Sequence, residues 1–205
     1  IQGTAAVVLA GLMAAMRITG GRLREQRVLF VGAGSANTGV ADLLVRALVG
    51  DGLSEAEARR RCWFFDDRGL ITAAREDLAL HSRAYAHPVE AAGAAGAVDL
   101  AAAIRVLRPA VLIGATGAPG VFTREALEAM AEIEERPIVF ALSNPTDRAE
   151  VTAEDAYAWT GGRAVFASGS PFVPVELDGR ILEPGQANNV YAVSYTHLRA
   201  HERPY

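Results

Sequence analysis

The residues best suited to chemistry in this chain sit where apolar runs stop. Val28 to Val31 are four strand formers that end at Gly32, and Gly34 follows two positions on. Backbone without side chains at such a point can approach a pyrophosphate closely, at the start of a helix. Asn37 stands where the usual GxGxxG fingerprint places Gly or Ala, and Gly39 follows it. The match is therefore GxGxxNxG, which taken alone describes a tight turn as well as a dinucleotide cradle. Asp66 closes a second apolar run, Cys62 to Phe65, where a carboxylate accepts hydrogen bonds from the ribose hydroxyls of an adenosine. The plainer alternative is that Asp66 and Asp67 only open a turn. A carboxylate at that position repels a 2′-phosphate and favours NAD over NADP, although Arg68 and Arg75 are near enough in sequence to offset it.

Further along, Ser143-Asn144-Pro145 offers a hydroxyl and an amide on a proline-stiffened turn, suited to a nicotinamide or a substrate carboxylate and equally to a simple Asx-Pro turn. Asn188 and Asn189, just after Gln186, are adjacent amides that can serve as ligand contacts or as a helix cap. His197 and His201 are four apart beside Glu202, but a third metal ligand is lacking and the order is not HExxH. His81 and His87 flank a segment that reads as a surface loop.

The elements that must position these residues alternate regularly. The strand Val28–Val31 is followed by Ala36, Val40, Leu43, Leu44, Ala47 and Leu48 at helical spacing. Ser54 to Glu57 has capping-box form and predicts a short helix ending near Arg61, before the strand at Cys62–Phe65. A helix over Asp99–Leu107 precedes a strand at Ala110–Ile113 that stops at Gly114. Thr123 caps a helix through Met130, Pro137 to Leu142 reads as a fourth strand stopping at Ser143, Thr152 to Asp155 starts another helix, and Ala164–Ala167 is a fifth strand stopping at Ser168. Strands that are apolar on both faces and alternate with helices predict an α/β fold, a doubly wound, Rossmann-like parallel sheet with helices on both faces. Ligands of such sheets lie beyond the carboxyl ends of the strands, where Gly32, Gly34, Asp66, Gly114, Ser143, Asn144 and Ser168 collect. The segment Ala91–Ala97, rich in Ala and Gly, reads as a flexible connection.

Composition bounds the remaining possibilities. The 205 residues, 51% hydrophobic, can bury a substantial core. A net charge of −4 argues against nucleic acid as a partner. The apolar run Ile1–Met16 is shorter than the ~20 residues of a membrane span and predicts a buried helix, with no membrane association. A single cysteine, Cys62, leaves neither an internal disulfide nor a cysteine-based zinc site, which fits a reducing, cytoplasmic setting. All 20 basic residues are arginine, so the chain supplies no Walker lysine and no lysine base. The cluster Arg59–Arg61 reads as a solvated helix end.

Several stretches, taken together and in order, resemble the NAD-binding domain of malic enzymes. They are Ile1 to Ala6, the turn from Val31 to Gly39, Phe65-Asp66 with Gly69 to Ile71, Leu112 to Gly114, Phe122-Thr123 and Glu135 to Thr146. Ala153 to Tyr157, Phe166 to Phe172 and Pro184 to Tyr191 complete the set. The resemblance covers residues 1–193, whereas 194–205 resembles nothing in the family and reads as foreign sequence.

The resemblance implies an oxidoreductase that oxidises L-malate with NAD or NADP and a Mg²⁺ or Mn²⁺ ion, then decarboxylates the oxaloacetate to pyruvate and CO₂. It implies that Gly32, Gly34 and Ser35 hold the pyrophosphate and Asp66 the adenosine ribose. By the same resemblance Gly114 lines the cofactor site, and Ser143 and Asn144 lie by the nicotinamide and its ribose. Asn144 and Asn188 reach malate, and Thr4 lies near the reacting centre. Ala73 occupies a place where NADP-preferring members carry a basic residue, which again favours NAD. In the family a metal-binding aspartate directly precedes the Ile-Gln-Gly-Thr motif, and the other metal carboxylates, the tyrosine acid and the lysine base lie further upstream. The expectation is thus a cofactor domain that binds dinucleotide and is inactive alone, from a protein that forms homo-oligomers when full length. A malolactic enzyme, making lactate from malate, and a non-catalytic dinucleotide-binding module are the alternatives.

Overall fold

The computed structural model describes residues 2–88 and 99–187. Each apolar run forms a strand: β1 (Val28–Val31), β2 (Cys62–Asp66), β4 (Val111–Gly114), β5 (Ile138–Ala141) and β6 (Val165–Ser168). Two short strands flank them, β3 (Gly69–Leu70) and β9 (Gly185–Gln186), and the sheet order is β3-β2-β1-β4-β5-β6-β9. All pairings in it are parallel except β2 with β3. The chain moves to one side of β1 to make β2 and returns to the other side to make β4, so the order reverses between β1 and β4. A crevice at such a reversal is the usual ligand position of an open α/β sheet.

Alternation along the strands divides the core in two. Val28, Phe30, Phe64, Val111, Ile113, Ile138 and Phe140 face one cluster, which is closed by α1 (Gln2–Thr19) and α2 (Ser35–Gly50). Leu29, Val31, Trp63, Leu112, Val139 and Phe166 face the other, closed by α4 (Leu100–Leu107), α5 (Arg124–Ile133) and α6 (Ala153–Trp159). Burial on both faces is what a continuous apolar run without alternation anticipates. The expected helix starts hold: Thr123 and Thr152 accept from the amides of Ala126 and Asp155, and Asp99 accepts from Ala102. Ser54 and Glu57 complete a reciprocal capping box at the start of α3 (Glu55–Arg60). No described helix is long and apolar enough to cross a membrane.

Three features depart from expectation. The buried face of α2 is Asn37, Thr38, Val40, Ala41, Leu44, Val45 and Leu48, whereas Ala36, Leu43 and Ala47 are only partly covered. A hairpin, β7 (Val175–Leu177) with β8 (Arg180–Leu182), lies outside the main sheet. Its turn residues Asp178 and Gly179 both have positive φ, the two-residue turn for which Asp-Gly is a sequence signature. Finally, His87 is buried against the Trp63 ring and bonds the Cys62 carbonyl at 2.7 Å, so it is a core residue rather than a surface one. The Ala91–Ala97 connection lies outside the described residues.

Candidate functional site

The parallel register sets one row of residues at the mouth of the crevice: Phe65, Val31, Gly114, Ala141, Ser168 and Gln186 are neighbours across successive strands. Beyond this row the chain turns. Gly32 has φ 93°, a backbone region that favours glycine. A Cβ on it would lie 3.1 Å from both the Ala115 carbonyl oxygen and the Thr116 methyl, so the loops after β1 and β4 touch here. Asn37 braces this turn: its side-chain amide donates to the carbonyls of Val31 and Gly32, both at 2.8 Å. Asn in place of a small residue therefore ties α2 to β1. Gly34 is the N-cap of α2; it provides no side-chain acceptor, and nothing lies within 4 Å of its Cβ direction. The first-turn N–H groups of α2, beginning at exposed Ser35, thus look out with the positive end of the helix dipole behind them. That arrangement suits a pyrophosphate.

The loops after β4 and β5 meet on a residue that no motif marked. Glu150 is fully buried. Its Oε1 accepts from the Thr116 amide at 2.7 Å, the Thr116 hydroxyl at 2.9 Å and the Ser143 hydroxyl at 2.5 Å. Its Oε2 accepts from the Ser143 amide at 3.3 Å. The Ser143 hydroxyl in turn accepts from the Gly117 amide at 2.8 Å. Gly114 is a glycine for packing: a Cβ there would meet Glu150 Cγ at 2.6 Å and Phe122 Cζ at 2.7 Å. Lone acidic residues usually read as solvated, so only the buried run around it, Ala149 and Val151, hinted at this burial.

Asn144 follows Ser143 into the open, ahead of a cis bond to Pro145. Its Oδ1 accepts from the Ser170 hydroxyl at 2.5 Å, which joins the β5 and β6 loops. Gly169 makes the join possible, because a Cβ there would run into the Leu142 carbonyl and the Asn144 amide. Thr4 belongs to α1, whose Ile18 carbonyl accepts from Arg136 just before β5 and whose Gly11 packs on Phe140. The helix thus runs antiparallel to the strands, and Thr4, about 10 Å beyond Gly11 at 1.5 Å per residue, lies toward their carboxyl ends. Asn188, Asn189, His197 and His201 lie outside the described residues.

At the β2 edge the charge pattern differs from a free ribose carboxylate. Arg75 grips Asp66 with two bonds, Nη1 to Oδ1 at 2.7 Å and Nη2 to Oδ2 at 2.9 Å. The same guanidinium bonds Asp77, whose carboxyl it holds down at about 2, and its own pKa rises through the bonds to Asp77 and Asp66. Arg68 joins Asp77 at 2.7 Å and donates its amide to Asp66. His81, exposed as a surface loop residue, reaches to the Ala33 carbonyl at 2.9 Å. Arg59, expected to be solvated, lies over the Tyr85 ring and bonds Glu55.

A divalent metal does not fit what is present: among the described residues no group of three or more His, Cys, Asp or Glu side chains could hold one. A dinucleotide does fit, since the glycine turn, the uncapped start of α2 and the polar loops after β4 and β5 surround one crevice. A groove of about 880 Å³ elsewhere, between α1 and the β6 and β9 side of the sheet, is lined chiefly by small and apolar side chains.

Fold and crevice together define a doubly wound dinucleotide-binding domain. Residues 1–196 match the family described as malic enzyme, NAD binding domain, and the chain belongs to that family. It is 49% identical over 193 residues to an NADP-dependent chloroplastic malic enzyme of Solanum lycopersicum, covering 93% of this chain and 33% of that one. It is 50% identical over 192 residues to the NADP-dependent malic enzyme of Rattus norvegicus, again covering 93% of this chain and 33% of the relative. Among solved structures, the malic enzyme of Entamoeba histolytica superposes with a TM-score of 0.65 at 30% identity, over 92% of this chain and 34% of that one. The chain thus spans about a third of the length of the relatives it matches.

Proposed function

We propose that this chain is the cofactor domain of an oxidoreductase that oxidises L-malate and decarboxylates the product to pyruvate and CO₂. The observation that carries the reading is the crevice at the β1/β4 reversal, with the Gly32–Ser35 cradle on one side and the Thr116 and Ser143 loops on the other. In this reading Gly32, Gly34 and Ser35 hold the pyrophosphate, Asp66 faces the adenosine ribose, Gly114 lines the site at the carboxyl end of β4, and Ser143 and Asn144 face the nicotinamide. Thr4 then lies near the reacting centre beside the cofactor, and Asn144 and Asn188 would reach malate. The dinucleotide supplies the hydride acceptor; this chain supplies its binding and orientation.

We infer further that the dinucleotide is NADP. A lone carboxylate at the β2 edge would repel a 2′-phosphate, but both oxygens of Asp66 are taken by Arg75, and Arg68 stands beside them. The relatives named as NADP-dependent point the same way, while Ala73 and the carboxylate itself remain the case for NAD. In this reading the base and the metal ligands of the reaction are supplied by other parts of the protein, a reading that the absence of lysine from the chain supports.

Titration of the 205-residue chain with NADPH and NADH, followed by nucleotide fluorescence, tests the reading. Saturable binding with NADPH tighter is expected, tighter NADH restores NAD, and no binding of either removes the cofactor role. The chain alone forms no pyruvate from malate and NADP; pyruvate formation would overturn the assignment of base and metal to other parts. In a full-length parent, pyruvate with NADPH is expected, and lactate without net reduced cofactor would mark the malolactic alternative.

A further inference from the structure

We propose that Glu150 is a positioning residue for the nicotinamide half of the dinucleotide site, because one buried carboxylate sets the spacing between the Thr116–Gly117 and Ser143–Asn144 loops. The inference rests on the dinucleotide reading above. Those loops leave neighbouring strands, β4 and β5, whose ends are Gly114 and Ala141 in register. The loops are linked through Ser143: its hydroxyl accepts from the Gly117 amide, and both its hydroxyl and its amide donate to Glu150. Thr116 comes to the same carboxylate with its amide and its hydroxyl. The Glu150 carbonyl also accepts from Phe122, which fixes the residue behind the loop it organises.

The carboxylate is held by uncharged donors: no ion pair to Glu150 exists among the described residues. Four donors converge on its two oxygens, two amides and two hydroxyls. Glu150 therefore acts through Ser143 and Thr116 rather than by touching the cofactor. Gly114 is the matching cavity, as the Glu150 stem fills the space a side chain there would need.

The substitution Glu150→Gln keeps the shape and changes the pattern. Its amide nitrogen must face either the donors now on Oε1 or the Ser143 N–H on Oε2, so one loop is pushed away whichever way the group turns. Two ligands separate this from general damage: NADPH, which spans both halves of the site, and adenosine 2′,5′-bisphosphate, which lacks the nicotinamide half. Glu150→Gln is expected to weaken NADPH about tenfold, while the adenosine ligand changes by less than about twofold. Thr116→Val, which removes one hydroxyl donor and keeps its amide, is expected to give a smaller loss with the same split, and it decides the matter if Glu150→Gln does not fold. Equal weakening of both ligands, or no weakening of either, overturns the proposal. Absence of NADPH binding by the unaltered chain would instead overturn the dinucleotide reading itself.

Discussion

The β2 edge and the centre of the sheet both depend on carboxylates, and they use them in opposite ways. At the edge, Asp66 and Asp77 share Arg75, with Arg68 added from the turn, so charge is balanced by charge in partial contact with solvent. At the centre, Glu150 has no ionic partner among the described residues and is satisfied by two amides and two hydroxyls. Pairs open to solvent, such as Arg68–Asp77, contribute little to stability and are screened by salt, the more covered Arg75–Asp66 pair less so, whereas a buried carboxylate whose donors are removed leaves groups that water cannot reach. The edge is thus free to set preference among ligands at small structural cost. The centre fixes where two loops stand.

The sharpest break of that comparison is steric. Gly114→Ala puts a Cβ 2.6 Å from Glu150 Cγ and 2.7 Å from Phe122, neither of which is a free end of a flexible chain. Overpacking of this kind costs about 1–3 kcal/mol. Urea unfolding should show that loss, and Arg75→Ala measured in the same way should lose less. Equal losses would mean that the edge carries the fold as much as the centre does.

Arg75→Ala should instead act on ligand choice. Removing the guanidinium leaves Asp66 to the Arg68 amide and Asp77 to the Arg68 side chain, so a 2′-phosphate meets two carboxylates with one cation between them. NADPH should weaken relative to NADH by about tenfold, and the gap should narrow as salt rises and screens the exposed charge. An unchanged ratio would separate the β2 edge from cofactor selection altogether.

How much of this was legible follows from what each residue uses its side chain for. β1, β4 and β5 could be read because strands buried on both faces have no alternation to interpret. Gly32 and Asp66 could be read because they stop such strands. The face of α2 could not, since Asn37 and Thr38 are polar by type and buried by virtue of backbone carbonyls they bond, at Val31, Gly32 and Gly34. Glu150 was hidden for the same reason: its partners come from residues 116 and 143, which only the sheet brings together. Arg75 was visible as a nearby charge, but that it would take both oxygens of Asp66 depends on the turn through β3. The hairpin of β7 and β8 was the opposite case, its Asp178-Gly179 turn being a local signature that hydropathy alone passes over.

The smallest effect expected is on acid stability, and it belongs to the edge. His87 lies behind β2, tilted at 42° against Trp63 with 4.2 Å between ring centroids and bonded to the Cys62 carbonyl. Burial lowers its pKa from the ordinary 6.5, outweighing the bond to the carbonyl, which raises it. A histidine lowered on folding takes up protons more readily in the unfolded chain. Its contribution is therefore present above about pH 6.5 and is lost as pH falls toward the lower folded value, at a slope of at most about 1.4 kcal/mol per pH unit. Melting temperatures measured from pH 7.5 down to 5.5 should decline, and His87→Phe, which keeps a ring against Trp63, should decline less steeply over the same range even though it starts lower. Parallel slopes would mean that the acid sensitivity arises elsewhere and that the edge holds no buried titrating group of consequence.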